Sequence, residues 1–296
     1  MKITLIGHCS YDVVHRADGS ENESPGGLLR SLTALASVVS RQDRITPVFG
    51  VHRNEQQQIL EHLRQYPVVD VSGIYPLDTP THRVHYYERK SGSYVLCAKD
   101  FAPPIPLERI RKFLDVDGVL VNMISGVDIT LQTMDEIRMA VRGDGVRMHF
   151  DLHNLTLGVG KDHERVRRPV AEWRRWAFMI DTVQANEEEI GGLTLEPLTE
   201  PQTAGHLLTL GVKGLIVTRG AKGVTLYFNE HKKVIRKDVP PVESESATDV
   251  TGSGDVFGAT FFAQYLKTND LFTSVEWANT ITGEMIRSLA PDDLHA

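Results

Sequence analysis

A glycine-rich turn that ends in an acid and leads into an apolar segment is the part of this chain best suited to chemistry. Asp249-Val250-Thr251-Gly252-Ser253-Gly254-Asp255 is followed by apolar residues over 256–263, which predict a buried helix. The first N–H groups of a helix lack intrahelical partners and, with the helix dipole, bind anions. A bound anion would repel a carboxylate in the same site, so an acid at this position indicates a chemical role. We therefore predict that Asp255 accepts a proton from a hydroxyl that attacks a phosphate held at this turn.

The elements that must position this turn follow a regular alternation. Short β-rich segments separated by longer helical patterns predict βαβ units, and hence a three-layer α/β/α fold around a mostly parallel sheet. Ligands of such sheets bind outside the carboxyl ends of the strands. The predicted strands cover 2–6, 46–51, 118–121, 147–151, 182–185 and 215–218, and the predicted helices cover 28–39, 54–66, 131–141, 169–177, 201–210 and 256–266.

Two segments interrupt the alternation. Residues 11–27 read as a strand and a turn, and residues 81–101 read as a β-hairpin whose turn contains Gly92. We predict one domain over 1–296 in which both segments form a small β lid that covers the substrate and excludes water. A surface hairpin without such a role is the alternative. Exposed lid edges would also allow pairing in a homodimer.

Composition limits the partners. The 296 residues are 41% hydrophobic and 24% charged, with a net charge of −7 that disfavours nucleic acid and anionic membranes. Cys9 and Cys97 suit free thiols in a reducing compartment rather than a disulfide framework. The N-terminus reads as a first strand rather than a secretory signal, and no stretch approaches the roughly 20 apolar residues of a membrane span. We expect a cytoplasmic protein that acts on a small molecule.

The segment from Asp249 to Phe257 resembles the signature Asp-Thr-x-Gly-Ala-Gly-Asp-x-Phe of the PfkB, or ribokinase-like, carbohydrate kinases. Val250 and Ser253 replace its threonine and alanine. The resemblance implies ATP as the donor and Asp255 as the catalytic base. It also implies that the N–H groups of Gly252, Ser253 and Gly254 stabilise the transferring γ-phosphate. The alternative is a glycine turn that only enters a core helix.

Three further segments resemble donor-site elements of that family. Asn186 and Glu189 match its Asn-x-x-Glu element and would organise hydrated Mg²⁺, although acidic clusters also cap helices. Thr218 and Gly220 match the segment beside the nucleotide phosphates and ribose, with a plain hairpin turn as the alternative. Asn279 lies where the family lines its adenine pocket, and a structural amide is the alternative. A monovalent cation near Asp249 is a further family expectation.

The acceptor side also resembles the family. Asp12 occupies the place of an aspartate that would accept hydrogen bonds from two substrate hydroxyls. Gly26 and Gly27 match a glycine pair that would let the sugar approach the backbone. Ser31 stands where the family has an asparagine, which argues against the usual ribose or fructose geometry and for a bulkier or differently hydroxylated acceptor. We predict that the neighbouring Arg30 covers the helix surface rather than pointing into the site.

A few polar residues remain outside these elements. Asp151 and Asn154 follow a strand and are further candidates for the site, or for turn formation. His149 and His153 flank Asp151, but no third ligand at zinc-like spacing accompanies them, so we predict no zinc site. The basic residues over 163–175 alternate with acids and apolar residues and predict a solvated amphipathic helix, with a site for a phosphorylated substrate as the alternative.

Together these features predict an ATP-dependent kinase that phosphorylates a hydroxymethyl group of a sugar or polyol. A nucleoside or inositol kinase is the alternative within the family, because lid tyrosines at Tyr86, Tyr87 and Tyr94 could stack on a base. A non-catalytic sugar- or nucleotide-binding relative is the alternative outside catalysis. A dinucleotide oxidoreductase is set aside, because no Gly-x-Gly-x-x-Gly follows the first strand.

Overall fold

The structure is a computed structural model that describes residues 1–89, 94–178, 180–242 and 252–288. The strands are β1 (Lys2–Ile6), β2 (Cys9–His15), β3 (Glu21–Gly27), β4 (Arg44–His52), β5 (Ile74–Leu77), β6 (His82–Glu88), β7 (Tyr94–Lys99), β8 (Gly118–Asn122), β9 (Arg147–Asp151), β10 (Leu157–Val159), β11 (Arg165–Arg167), β12 (Thr182–Asn186), β13 (Gly214–Thr218), β14 (Val224–Glu230) and β15 (Lys233–Val239). The helices are α1 (Leu28–Val38), α2 (Arg53–Leu63), α3 (Leu107–Ile110), α4 (Leu131–Val141), α5 (Trp173–Ala177), α6 (Glu187–Gly191), α7 (Glu200–Thr209), α8 (Ser253–Thr268) and α9 (Leu271–Ser288).

A large sheet runs through the molecule in the order β15-β14-β13-β12-β9-β8-β1-β4-β5. From β13 to β5 every neighbouring pair is parallel, whereas β14 and β15 join antiparallel at one end. The six strands predicted from the sequence all belong to the parallel part. Since parallel strands end on the same side, the sheet gathers their carboxyl ends along one edge.

Both faces of this sheet are covered, because successive side chains of a strand point to opposite faces. On β8, Val119 and Val121 pack in one hydrophobic core, while Leu120 packs in the other. One core includes side chains of α4 to α7, and the other includes those of α1, α2, α8 and α9. The predicted three-layer α/β/α fold is therefore confirmed.

Four strands form a second, smaller sheet in the order β3-β2-β6-β7, which we call the small sheet. The hairpin predicted within 81–101 is present as the antiparallel pair β6 and β7, although its turn at Gly92 lies outside the described residues. Strand β2 joins β6 in parallel, so the two predicted lid segments share one sheet. The outer strand β3 carries exposed acids at Glu21 and Glu23, and such charges discourage edge pairing. The roles of this sheet as a lid and as a dimer surface stay predictions.

The predicted helix over 163–175 is wrong. Arg165–Arg167 form strand β11, which pairs with β10, and helix α5 begins only at Trp173. His163 and Glu172 have φ angles of 64° and 54°, which an α-helix cannot contain. The predicted helix over 169–177 is reduced to α5 for the same reason.

Several features bear on partners and compartment. Both cysteines are buried free thiols, as predicted. No helix within the described ranges is long and apolar enough to cross a membrane.

Candidate active site

Helix α8 begins inside the glycine-rich turn rather than after it. Gly252 is the N-cap residue with a φ of 83°, a conformation that favours glycine, and Ser253, Gly254 and Asp255 form the first turn. The backbone of this turn therefore lies at a helix N-terminus, as the phosphate-binding prediction requires. The preceding residues Asp249 to Thr251, including the expected monovalent-cation position, lie outside the described residues.

Asp255 is buried, with only 4% of the residue exposed, and neighbouring strands supply its polar contacts. Asn122 at the end of β8 donates from Nδ2 to Asp255 Oδ1 at 2.8 Å. His153 Nε2 lies 3.5 Å from the same carboxylate oxygen. Ser31 on α1 donates from Oγ to the backbone carbonyl of Asp255 at 3.4 Å and accepts from Asn122 Nδ2 at 3.3 Å. Asp255, Asn122, His153 and Ser31 are called the base cluster below.

The charges of the base cluster favour an ionised Asp255. Burial alone would raise its pKa, but the adjacent His153, with Arg30 and Asn122, holds the pKa of Asp255 below its usual value. Burial would lower the pKa of His153, but Asp255, Asp151 and Glu189 together raise it to about 10. Burial also raises the pKa of Asp151 well above its usual value. The arrangement therefore holds one carboxylate ready to accept a proton beside an imidazolium.

Asp12 on β2 is buried opposite this cluster and forms an ion pair with Arg30, at 2.5 Å between Oδ2 and Nη2. The prediction that Arg30 covers the helix surface is therefore wrong. The side chain follows Gly27 in the first turn of α1, where it reaches Asp12 instead of solvent.

The glycine pair at 26 and 27 has a structural reason here. A Cβ on Gly26 would lie 2.6 Å from Asp12 Oδ2, and a Cβ on Gly27 would lie 2.6 Å from Ser10 Oγ. Gly27 also has a φ of 59°. The two glycines thus make room for the Asp12 carboxylate and for the turn into α1, and the predicted close approach of a sugar stays a prediction.

Two buried polar atoms of the base cluster have no hydrogen-bond partner in the described chain. They are Asn122 Oδ1 and His153 Nδ1. Asp12 Oδ2 is different, because it is buried and has the Arg30 guanidinium as its charged partner. A buried polar atom without a partner is unfavourable, and at a pocket it marks a place where a ligand or water binds.

Asn186 and Glu189 lie at the start of α6 and satisfy each other. The Asn186 N–H and Nδ2 donate to the two Glu189 carboxylate oxygens at 2.8 and 2.7 Å, and Glu189 N donates to Asn186 Oδ1 at 2.8 Å. This reciprocal pattern is a capping box. Burial raises the pKa of Glu189, which lies near enough to influence Asp151 and His153. Asn186 and Glu189 therefore do cap helix α6, and Glu189 also lies near the base cluster.

The side-chain oxygens of Asn186 and Glu189 suit a Mg²⁺ ion bound through water better than one held by direct protein ligands. Within the described residues no three or more His, Cys, Asp or Glu side chains are grouped to hold a metal ion. Each Glu189 oxygen accepts a hydrogen bond but keeps a second lone pair that a metal-bound water could use. Mg²⁺ usually retains several waters in proteins, so contacts through water suit this donor set.

The remaining donor-side candidates lie along the same edge. Thr218 ends β13 in register with Asn186 on β12, and Gly220 follows in an exposed turn with a φ of 53°. Asn279 on α9 donates from Nδ2 to the Pro240 carbonyl at 2.8 Å. We call Asn186, Glu189, Thr218, Gly220 and Asn279 the donor edge.

The further candidates after β9 separate in space. Asp151 accepts from Gln184 Nε2 at 3.0 Å and from the His153 backbone N–H at 3.2 Å, beside the base cluster. Asn154 instead donates to the Ile124 carbonyl and supports that loop. His149 is fully buried, and burial lowers its pKa to about 3.

Sequence reasoning missed two residues of the base cluster as functional candidates. Asn122 is a polar residue at the carboxyl end of an otherwise apolar strand, which is itself a signal for a ligand edge. His153 was considered only as a zinc ligand, although its position two residues after a strand-end acid points to the same edge.

Comparisons with known proteins agree with this geometry. Residues 167–292 match the family model described as pfkB family carbohydrate kinase, and this range includes the α8 turn. A cytidine kinase of Thermococcus kodakarensis (strain ATCC BAA-918 / JCM 12380 / KOD1) is 25% identical over 272 residues, which cover 90% of this chain and 88% of that protein. Both likenesses point to the PfkB carbohydrate kinases. The family resemblance of the motifs is confirmed over residues 167–292, and PfkB family kinases are phosphotransferases.

Solved structures extend the likeness in fold over the whole chain. A sulfate complex of a pyrophosphate-dependent kinase in the ribokinase family has a TM-score of 0.78 at 18% identity, covering 99% of both chains. Ribokinase of Arabidopsis thaliana, complexed with ribose and ATP, has a TM-score of 0.71 at 18% identity, covering 97% of this chain and 93% of that one. The chain thus has the ribokinase fold.

Proposed function

We propose that this protein transfers the terminal phosphoryl group of ATP to a hydroxymethyl group of a sugar or polyol, as one catalytic domain whose small sheet covers the acceptor. The observation that carries the proposal is the buried, ionised Asp255 in the first turn of α8, beside His153 and Asn122. A carboxylate in such a place is suited to accepting a proton next to a phosphate.

In the proposed reaction the acceptor oxygen attacks the terminal phosphorus and the bond to the leaving diphosphate breaks. The alcohol proton passes to Asp255 Oδ2 or Oδ1, while Asn122 keeps the carboxylate oriented. The N–H groups of Gly252, Ser253 and Gly254 would stabilise charge on the phosphoryl oxygens. A carboxylate with a reference pKa near ~4 is a weak base, but it suffices where the transition state is loose.

Mg²⁺ bound with the nucleotide would neutralise the phosphates. Glu189 and Asn186 would hold it through water, and they also keep the start of α6 rigid through the capping box. Thr218 and Gly220 would lie along the phosphates and ribose, and Asn279 would border the adenine. Asp255 would remain the proton acceptor throughout.

On the acceptor side, Asp12 would bind hydroxyls, with Gly26, Gly27 and Ser31 shaping its surroundings. The ion pair with Arg30 leaves less of the Asp12 carboxylate available for hydroxyls. Ser31 Oγ forms hydrogen bonds with Asp255 and Asn122. The amide at this end of the site is therefore that of Asn122 on β8, whereas the family asparagine would lie on α1. An acceptor larger or differently hydroxylated than ribose fits this change.

A nucleoside acceptor is the second candidate, favoured by the placement of two tyrosines. Val14 on β2 is in register with Tyr86 on β6, so Tyr86 lies on the same sheet face as Asp12, two residues before Val14. Tyr94 packs edge-on against Tyr86 with ring centroids 6.3 Å apart. Tyr87 lies on the opposite face, stacked on His15 at 4.2 Å. The 25% identical relative is a cytidine kinase, which agrees with this alternative.

A pyrophosphate donor is tested alongside ATP for a specific reason. The Asn279 amide already donates to Pro240, and Val242 lies against Gly283, so the 240–242 segment rests on α9 where the adenine is expected. A donor without a base would not need that surface.

The test is a donor and acceptor matrix with Mg²⁺ present. ATP and pyrophosphate would each be combined with ribose, fructose, myo-inositol, cytidine and adenosine, and product phosphate esters measured by mass spectrometry. ATP with a sugar or polyol is the expected productive pair. Turnover with nucleosides alone would show that the acceptor is a nucleoside rather than a sugar or polyol. Turnover with pyrophosphate alone would show that the donor is not ATP. No turnover with any pair would reject the proposed kinase activity.

A further inference from the structure

Arg30 connects two parts of the site that lie far apart in the sequence. It belongs to the first turn of α1, where its neighbours Leu29 and Ser31 are buried and its own side chain is 21% exposed. Helix α1 packs against α8, and Ser31 Oγ in the first turn of α1 donates to the backbone carbonyl of Asp255 in the first turn of α8. Arg30 therefore lies where the N-terminal ends of α1 and α8 meet.

The positions of its atoms define that contact. Nη2 lies 2.5 Å from Asp12 Oδ2. A Cβ built on Gly252 would lie 2.8 Å from Arg30 Cδ, 3.1 Å from Nη1 and 3.2 Å from Nε. The guanidinium thus lies between the acceptor carboxylate and the first glycine of the α8 turn, and it gives position 252 a second reason to be glycine.

The charges around this guanidinium keep it cationic. Burial would lower the pKa of Arg30, but Asp12, Tyr86 and Asp255 raise it above its ordinary value, so Arg30 stays cationic. A phosphoryl group in transfer spreads negative charge over three oxygens, and here it would lie near the carboxylates of Asp12 and Asp255, which are close enough to influence each other. A cation at that place offsets the repulsion, and the planar fork of arginine matches phosphoryl oxygens.

We propose that Arg30 contacts the phosphoryl group during transfer, while Asp12 holds the guanidinium in position. The inference rests on the proposed function, since it concerns the same phosphoryl transfer. The phosphorus–oxygen bond to the donor breaks, the bond to the acceptor oxygen forms, and the acceptor proton passes to Asp255. Arg30 neither gains nor loses a proton.

The alternative is that Arg30 only neutralises Asp12 and shapes the acceptor pocket. The two roles differ in what a variant loses. A contact made mainly during transfer affects kcat, whereas a contact that only shapes the acceptor pocket affects the acceptor KM.

The experiment compares Arg30→Ala and Arg30→Lys with the wild type, using the productive pair found in the matrix. For Arg30→Ala we expect kcat to fall by about 10²–10³. Arg30→Lys keeps the positive charge but lacks the planar guanidinium, so its kcat should fall less than that of Arg30→Ala. Guanidinium ion, added far below denaturing concentrations, should restore part of the rate of Arg30→Ala but not of Asp255→Asn. Arg64→Ala, an exposed arginine at the end of α2, is the matched control and should keep wild-type rates.

Two results would overturn the inference: a kcat for Arg30→Ala within threefold of wild type, or a change confined to the acceptor KM. Circular dichroism and melting temperature of Arg30→Ala and Arg30→Lys show whether a loss reflects misfolding. If both variants misfold, rescue of the residual rate by guanidinium ion decides, and its absence rejects the contact.

The two proposals can fail separately. If the wild type turns over no pair, the proposed function is rejected, and binding of orthovanadate with ADP and Mg²⁺ still tests Arg30. At least about tenfold weaker vanadate binding by Arg30→Ala would support the contact, and equal binding would reject it.

Discussion

The base cluster and the donor edge differ in how their polar atoms are satisfied. Around Asp255, the atoms Asn122 Oδ1 and His153 Nδ1 are buried without a hydrogen-bond partner in the described chain. Along the donor edge, Asn186 and Glu189 bond to each other and Asn279 bonds to Pro240. Binding at the base cluster therefore fills unmet hydrogen bonds, whereas binding at the donor edge competes with bonds already made.

The unmet hydrogen bonds of the base cluster carry a cost in folding free energy. An unmet buried hydrogen bond costs about 1–3 kcal/mol, which the folded chain must offset elsewhere. Such a cost is typical of functional sites, where local rules are broken. The donor edge shows no such cost at these residues, so substitutions there should have smaller effects on chemistry than substitutions in the base cluster.

The largest effect is expected from Asp255→Asn. The amide cannot accept the alcohol proton, so kcat should fall at least about a hundredfold, while the dissociation constant of the donor with Mg²⁺ changes little. Steady-state kinetics and isothermal titration calorimetry measure the two quantities. Asp115→Asn, at a carboxylate 98% exposed, is the control. A variant at 255 that retains its turnover would remove the base cluster from the chemistry.

His153→Gln should act next, through the charge beside Asp255. Without the imidazolium, the pKa of Asp255 should rise, because the remaining effect of burial is to raise it. We expect the acid limb of the kcat/KM profile to move upward by about one pH unit or more, with a greater loss at low pH than at neutral pH. An unmoved limb would show that His153 does not act on the base.

The same variant tests the sign of the stability change. The pKa of His153 is raised in the folded chain, from 6.5 to about 10, so the charged imidazolium stabilises the fold. That contribution is fully present below pH 6.5 and is lost as the pH rises toward 10. The gap in the free energy of unfolding between wild type and His153→Gln should therefore be widest at low pH and close at alkaline pH.

A smaller effect is expected from Glu189→Gln at the donor edge. The amide keeps one oxygen for the capping box but weakens the water-mediated attraction for Mg²⁺, so half-saturation should need about tenfold more Mg²⁺. The free energy of unfolding should change by about 1 kcal/mol or less. Glu188→Gln, at the neighbouring exposed acid, is the control. Equal Mg²⁺ dependence in both variants would leave Glu189 as a helix cap only.

The smallest effect is expected from Asn279→Ala. Loss of the bond to Pro240 removes about 1 kcal/mol from the packing of the 240–242 segment on α9. Because the adenine is expected against that segment, the KM for ATP should rise by at most roughly fivefold. The KM for pyrophosphate should not change, since pyrophosphate carries no base. A rise shared by both donors would show that the 240–242 segment supports the phosphates rather than the adenine.

The sequence predicted that Asp255 lies at the start of a helix, and this position is confirmed because its signal is local. The glycines, the acid and the apolar helix are contiguous, and the first turn of a helix has the same geometry in any protein. The predicted start of the helix at 256 was late by three residues, since the fold draws Ser253 and Gly254 into the first turn. Alternation of strands and helices likewise predicted the three-layer fold.

Only the tertiary structure decided what surrounds that carboxylate. Asn122 and Asp255 are 133 residues apart, and Ser31 and Asp255 are 224 apart. Their contact depends on the strand order and on the packing of α1 against α8, which local patterns do not encode. Arg30 shows the limit most clearly: helical periodicity allowed a surface position, and only the burial of Asp12 nearby turned its cation inward. The local sequence thus determined that a carboxylate lies in the first turn of α8, and long-range packing determined its partners.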